Sequence, residues 1–127
     1  MIRYEPLSCW LGAFPDEEMF FAYIEREYDE EGDLNSAFEM DHAARFEEDY
    51  REAEFFPDGL HDLASALEIF SYGDTFADEV AAHAAELGIE GAAINSVLLL
   101  YGLVYRPRRD ITVSSPLRFV GTFQAKF

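Results

Sequence analysis

Val97-Leu98-Leu99-Leu100-Tyr101-Gly102-Leu103-Val104-Tyr105 is a continuous run without a single charge. An uninterrupted apolar stretch of this length suits a strand covered on both faces, and Gly102 would be out of place inside a helix. The run therefore predicts a strand lying centrally in a sheet. Beyond it, Arg106-Pro107-Arg108-Arg109-Asp110 reads as a basic turn. Leu117, Phe119, Gly121, Phe123, Ala125 and Phe127 then alternate with Arg118, Val120, Thr122, Gln124 and Lys126, the pattern of a half-buried strand. These two carboxyl-terminal strands are expected to pair antiparallel. Near the amino end, Leu7, Cys9 and Leu11 alternate with Ser8 and Trp10 as far as Gly12, which adds a third strand.

Helices fill the space between. Pro15-Asp16-Glu17-Glu18 has the form of a helix start, with proline pre-set in φ and carboxylates near the positive end of the dipole. Phe20, Tyr23, Ile24 and Glu27 then share a side up to about Tyr28, before the loop signal Asp29-Glu30-Glu31-Gly32-Asp33. Residues 36–56 fit neither a period of 3.6 nor one of 2 and read as mixed structure. Asp58 is placed to cap a helix running to about Ile69, on the spacing of Leu60, Leu63, Ala64 and Leu67. Thr75 with Asp78 resembles a capping box and Gly88 a stop, so residues 76–87 predict a further helix. The fold class is α+β: a small antiparallel or mixed sheet, built from an N-terminal strand and a C-terminal strand pair, packed against three to four helices. One domain spans residues 1–127.

Charge is polarised along this framework. The chain carries a net −17, and 18 of its 26 acidic residues lie between Asp16 and Asp62, opposed only by Arg26, Arg45 and Arg51, a net of −15. From Ala92 to Phe127 the balance is +4. Such a field attracts basic surfaces and repels phosphate backbones, so neither nucleic acid nor an anionic membrane is an expected partner. Twelve Phe and seven Tyr are too many large apolar side chains for a solvated acidic tail, so the acid decorates a folded body. The amino end lacks a secretory apolar run and no stretch suits a membrane span, so the expectation is a soluble cytoplasmic protein. Cys9 is the only cysteine, and its neighbours Trp10 and Leu11 suggest a buried small hydrophobe.

Chemistry-bearing patterns are sparse. His42, His61 and His83 show no zinc spacing, and Glu79 with His83 four apart on the expected helix reads more simply as a partly buried helix histidine. Asp41 and His42 are sequence neighbours whose side chains diverge in a regular element, so no relay is expected. Glu47-Glu48-Asp49 and Asp29-Glu30-Glu31 lack the ligand alternation of a calcium loop, and density alone does not make a catalytic carboxylate. No catalytic residue, metal site or cofactor is assigned. Phe46, Tyr50, Phe55 and Phe56 read either as core residues alternating with surface acid or as anchors of a binding face.

Trp10-Leu11-Gly12, Tyr23 and Tyr28, Phe38-x-x-Asp41, Phe46-Glu47-Glu48-Asp49-Tyr50 with Glu52, and Asn95-Ser96-Val97-Leu98-Leu99-Leu100-Tyr101 with Tyr105 together resemble the immunity protein 22 family of bacterial polymorphic toxin systems. The pattern covers about Ser8 to Tyr105. It departs at two places, with Glu47 where aspartate is expected and His42 where an apolar residue is expected. The resemblance implies a non-enzymatic cytoplasmic antidote that binds a cognate toxin. Asp41, Glu47, Glu48, Asp49, Tyr50 and Glu52 form the expected toxin face, while Trp10, Gly12, Asn95 and Tyr101 are expected to be structural. Basic nuclease toxins fit the charge best, since carboxylates can stand in for phosphates. The rival readings are an acidic adaptor or nucleic-acid mimic acting on another basic protein, a metal-dependent enzyme using the Asp41–Glu54 carboxylates, and halophilic adaptation.

Overall fold

A computed structural model describes residues 2–108 and 114–127. In chain order the elements are β1 (Tyr4–Gly12), α1 (Glu17–Ile24), β2 (Glu27–Tyr28), β3 (Leu34–Asn35), α2 (Ala37–His42), β4 (Arg51–Phe55), α3 (Leu63–Leu67), α4 (Ala77–Glu86), β5 (Ser96–Tyr101) and β6 (Leu117–Lys126). Short 3₁₀ turns stand at Glu48–Tyr50, Gly73–Thr75 and Gly91–Ala93. Four strands form an antiparallel sheet in the order β4-β5-β1-β6, and β2 pairs with β3 as a separate ribbon. The α+β class expected from sequence is the class observed.

Alternation of side chains divides the core in two. Leu7, Cys9, Leu11, Val97, Leu99 and Tyr101 face one way and meet Leu63 and Leu67 of α3 and Val80 and Ala84 of α4. Trp10, Leu98 and Leu100 face the other way and meet Phe20 and Ile24 of α1 and Phe38 of α2. Helices thus cover both sides of the sheet, which is why β5 is wholly buried and uncharged, with Val97 to Leu100 aliphatic throughout.

Strand pairing corrects one expectation. The two carboxyl-terminal strands do not pair with each other, because β1 lies between them, bonded to β5 along Leu7–Gly12 and to β6 along Tyr4–Gly12. The connection from Gly102 to Pro116 is long enough to step over a strand, a distance of roughly 10 Å between outer neighbours. Nor does β5 continue to Tyr105. Gly102 turns out of the strand at φ +78, and the Ser8 hydroxyl takes over the backbone there, donating to Leu103 O at 2.7 Å and accepting from Tyr105 N–H at 3.0 Å.

β6 carries a second correction. Its apolar residues do not share one face, because the register against β1 shifts between Cys9 and Trp10, with Val120 as the extra residue. A one-residue bulge reverses which way the following side chains point. Leu117 and Phe119 therefore join the Trp10 core, whereas Phe123 and Ala125 join the α3–α4 core.

The helices start where carboxylates and hydroxyls can cap them, though not always at the expected residue. Asp16 caps α1 by accepting from Met19 N–H at 2.8 Å, but the helix ends at Ile24, so Glu27 and Tyr28 enter β2. α3 is only five residues and is capped by Asp62, not Asp58. The Phe56–Gly59 turn and the bond from Leu60 N–H to Ile94 O at 2.9 Å hold Leu60 outside the helix. The expected Thr75–Asp78 capping box does not form. The Thr75 hydroxyl instead donates to Tyr72 O at 2.6 Å and accepts from Lys126 N–H at 3.1 Å, tying the turn to β6. Gly88, at φ +77, does end α4. The mixed stretch 36–56 resolves into α2, with a Ser36–Glu39 capping box, then the 3₁₀ turn and β4. Arg109 and Asp110 of the expected basic turn lie outside the described residues.

Gly12, buried at the end of β1, leaves no room for a side chain: a Cβ there would sit 2.1 Å from Pro116 O, a backbone atom that cannot swing aside. Gly12→Ala should destabilise the fold by roughly 1–3 kcal/mol. The expected signature is a lower urea midpoint with an unchanged denaturant slope; an unaltered midpoint would contradict this packing.

Candidate partner-binding face

The chain leaves α2 through Ala43 in the left-handed region, at φ 53, and is pinned again at Phe46. That ring is buried and lies under two guanidinium groups, Arg26 at 5.2 Å and Arg51 at 5.8 Å. Such cation–π contacts hold the entry and exit of the next turn. Between these anchors, Glu47, Glu48, Asp49 and Tyr50 bend through the 3₁₀ turn, closed by Tyr50 N–H to Glu47 O at 3.0 Å. All four side chains are exposed, Tyr50 to 56%, and none has a side-chain partner among the described residues.

Two clefts meet at Tyr50. One, of about 580 Å³, is lined by Arg26, Arg45, Glu47 and Tyr50 over a floor of Leu100 and Gly102. The other, of about 250 Å³, is lined by Asp49, Tyr50, Glu52, Ser71 and Tyr72, and Glu5 and Tyr101 contribute to both. Of the expected face, then, Glu47, Asp49, Tyr50 and Glu52 line adjoining hollows, and Glu48 stands on the same turn. Asp41 lines neither cleft; its carboxylate accepts from the Tyr23 hydroxyl at 2.7 Å. Glu52 is already engaged, accepting from Ser71 N–H at 3.1 Å and from the Ser71 hydroxyl at 2.6 Å. That contact fastens β4 to the chain after α3.

Sequence inspection missed Glu5, Arg45, Tyr72 and Tyr101 as lining residues. Only the strand order could have found Glu5 and Tyr101, since it brings the ends of β1, β4 and β5 together. Tyr101 donates to Ser71 O at 2.6 Å, and burial, with Glu52 nearby, pushes its hydroxyl far above the ordinary tyrosine range. It is a fixed wall of the cleft and not a proton donor to a ligand.

Behind α2 lies an arrangement that neighbour spacing concealed. Asp41 and His42 do diverge, yet a hydrogen-bond chain joins them. Trp10 Nε1–H donates to His42 Nδ1 at 3.3 Å, His42 Nε2 meets Ser115 Oγ at 2.9 Å, Ser115 Oγ meets the Tyr23 hydroxyl at 2.7 Å, and Tyr23 donates to Asp41. An indole N–H can only donate, so Nδ1 must accept and the ring proton sits on Nε2. That tautomer donates to Ser115 and leaves no lone pair with which to deprotonate it, so the Ser–His contact is not a nucleophile with its base. His83 is on α4 as expected but more exposed than expected, 3.7 Å from Glu86. Cys9 is fully buried, and burial raises its thiol well above the usual range. Among the described residues no group of three or more His, Cys, Asp or Glu is placed to hold a metal ion. No helix among them is long and apolar enough to cross a membrane.

The charge polarity of the sequence becomes a polarity across the sheet. β4 sits at one edge with Glu52 and Glu54, directly after the acidic turn, and β6 at the opposite edge with Arg118 and Lys126.

Comparison with known proteins places this architecture. A family model described as Immunity protein 22 matches residues 7–125 of the 127. No curated protein and no solved structure matches the chain.

His42 is 4% exposed, and burial lowers its affinity for a proton, partly offset by the Asp41 charge. A histidine with a depressed value in the folded state takes up its proton more readily when unfolded. Stability should therefore hold above the ordinary value of 6.5 and fall as pH drops below it toward the lowered folded value. Urea midpoints measured across this range should slope for the wild type and flatten in His42→Leu; parallel slopes would place the sensitivity elsewhere.

Proposed function

The chain belongs to the Immunity protein 22 family, and we propose that it protects the producing cell by binding a cognate bacterial toxin of a polymorphic toxin system in the cytoplasm. Family membership supports the toxin-neutralising role. The target in this reading is a basic toxin domain, and a nuclease fits best, because a protein that must approach phosphates presents cations that carboxylates can occupy. Inhibition is by steric and electrostatic occlusion, without catalysis. The one Ser–His hydrogen bond among the described residues has the wrong tautomer for nucleophilic chemistry, which supports the non-enzymatic reading.

The observation that carries the placement is the Glu47–Tyr50 turn. Three carboxylates and a tyrosine are held out from a well-anchored backbone, and none of the four is used within the fold among the described residues. A charged side chain that the fold does not use is free to pair with a partner, and a half-exposed tyrosine between two hollows suits an anchor. Long-range attraction by the acidic stretch speeds encounter, which favours an antidote competing with ongoing damage. Asp41 plays a lesser part, as its carboxylate is committed to Tyr23, and Glu52 shapes the cleft wall through Ser71.

An adjacent gene for a protein with a carboxyl-terminal toxin domain is expected, and co-expression of this chain with that domain should restore growth; unabated killing would refute the antidote reading. Within such a pair, Glu48→Lys combined with Asp49→Lys should slow association about tenfold at low salt, with thermal unfolding unchanged. The deficit should shrink at high salt as screening removes the attraction in the wild type too. Equal rates with an unchanged salt slope would move the face elsewhere.

A further inference from the structure

We infer that the toxin partner docks on the outer edge of β4, contributing an extended segment whose side chains alternate basic and apolar, as a fifth strand. This rests on the toxin-binding reading and adds its geometry. Bond alternation settles which backbone groups are free. Phe56 N–H donates to Asn95 O at 2.7 Å and Gly102 N–H to Pro6 O at 2.7 Å. With the registers Glu52↔Leu99 and Glu54↔Val97, both bonds turn the backbone of Glu52 and Glu54 toward β5. The groups of Arg51, Ala53 and Phe55 point the other way, where no further strand lies among the described residues. Arg51 N–H is taken by Glu48 O. Ala53 and Phe55 keep both N–H and C=O unbonded on that side among the described residues, a row of donors and acceptors that an added strand would satisfy.

Side chains select the occupant. Glu52 and Glu54 lie on the α3–α4 face of the strand, and Glu54 is exposed with no partner among the described residues. Ala53 and Phe55 lie on the other face, half-buried against the Trp10 core. Residues directly opposite across a pair share a face, so a strand laid on β4 meets carboxylates on one side and apolar surface on the other. A second copy of this chain is a poor occupant. Antiparallel self-pairing centred on Ala53 sets Glu52 against Glu54 twice, and like charges in that position repel. A segment with Lys or Arg at alternate positions gains two attractions instead. The opposite edge does not compete for it: β6 is bulged at Val120, its Lys126 N–H is held by Thr75, and Arg118 and Lys126 repel a basic strand. The free edge also follows directly on the Glu47–Tyr50 turn, so strand addition and the acidic turn form one continuous surface.

The test uses the whole chain and two synthetic peptides, one alternating Lys with Val and one alternating Glu with Val, read by hydrogen exchange at individual amides. The Lys–Val peptide should slow exchange at Ala53 and Phe55 about tenfold or more, with no effect of the Glu–Val peptide. Ala53→Pro removes an outward N–H without touching the β4–β5 ladder, so it should fold and weaken binding about tenfold. Glu54→Lys should reverse the peptide preference and guards against any fold defect in the proline variant. No slowing, slowing at Thr122 and Gln124 instead, or slowing that follows chain concentration without peptide would each overturn the inference. With a toxin domain against which the wild-type chain protects, a complex of undiminished affinity in Ala53→Pro would overturn the edge alone, whereas protection without any complex would overturn the binding reading itself.

Discussion

Everything in this molecule is arranged around one buried strand. β1 is bonded along both edges, to β5 and to β6, and from Leu7 to Gly12 it has no exposed residue. Its alternation sends Leu7, Cys9 and Leu11 into one core and Trp10 into the other. Both helical layers are therefore docked on the same few residues, and neither core can form without it. The strand also joins the chain's ends, since its neighbours come from the last third of the sequence. Such non-local pairing is slow to form, and closing it organises the whole sheet at once.

A strand covered on both faces leaves its polar groups dependent on internal partners, and the fold supplies them. Ser8 satisfies the backbone where β5 ends, and its hydroxyl also meets Thr122 on β6 at 3.1 Å. Asn95 bridges to Phe14, accepting from its N–H and donating to its O. Trp10 passes its N–H to His42, whose own backbone O accepts from the Tyr105 hydroxyl at 2.6 Å. Glu39, 3% exposed, accepts from Ser36 and from Arg26 at 3.0 Å. Unpaired, that carboxylate would cost several kcal/mol; paired, it locks α2 to the chain leaving α1. Among the described residues no buried side-chain polar atom is left without a partner. Satisfaction of this kind specifies one arrangement of two aromatic-rich layers that apolar packing alone would leave more permissive.

What could be read from sequence divides along the same line. The existence of β1, β5 and β6, the burial of β5, the start of α1 and the stop at Gly88 are local matters of period and capping, and they were legible, whereas β2, β3 and β4 carried no clear period of 2. Strand order was not legible. Nothing in the alternation of Leu117–Phe127 says whether its neighbour is β5 or β1, and the bulge at Val120 is invisible to a period-2 count because it depends on the opposing strand. The Thr75 hydroxyl looked like a cap until β6 arrived to use it, and Leu60 fitted a helical spacing until Ile94 claimed its N–H. At the candidate site, the composition of the Glu47–Tyr50 turn was plain, while the clefts on either side of Tyr50 were not, since their walls come from β1, β5 and the chain after α3. Asp41 looked equivalent to its acidic neighbours because charge is visible in sequence and engagement with Tyr23 is not.

The architecture also narrows where the proposed partner face can lie. With helices on both faces of the sheet, neither face is free for a partner, and only edges and strand ends remain. One edge is closed by a bulge and a side-chain bond and carries cations; the other is short, regular and directly follows the acidic Glu47–Tyr50 turn. Acid at that edge has two consequences that need no separate explanation. It discourages the chain from adding to itself, which an open strand at cellular concentration would otherwise invite, and it raises the local concentration of basic segments. On the proposed reading, the carboxylates that would repel a second copy at β4 also make its exposed strand selective for a positively charged segment, so one charge pattern serves both ends of a net −17 chain.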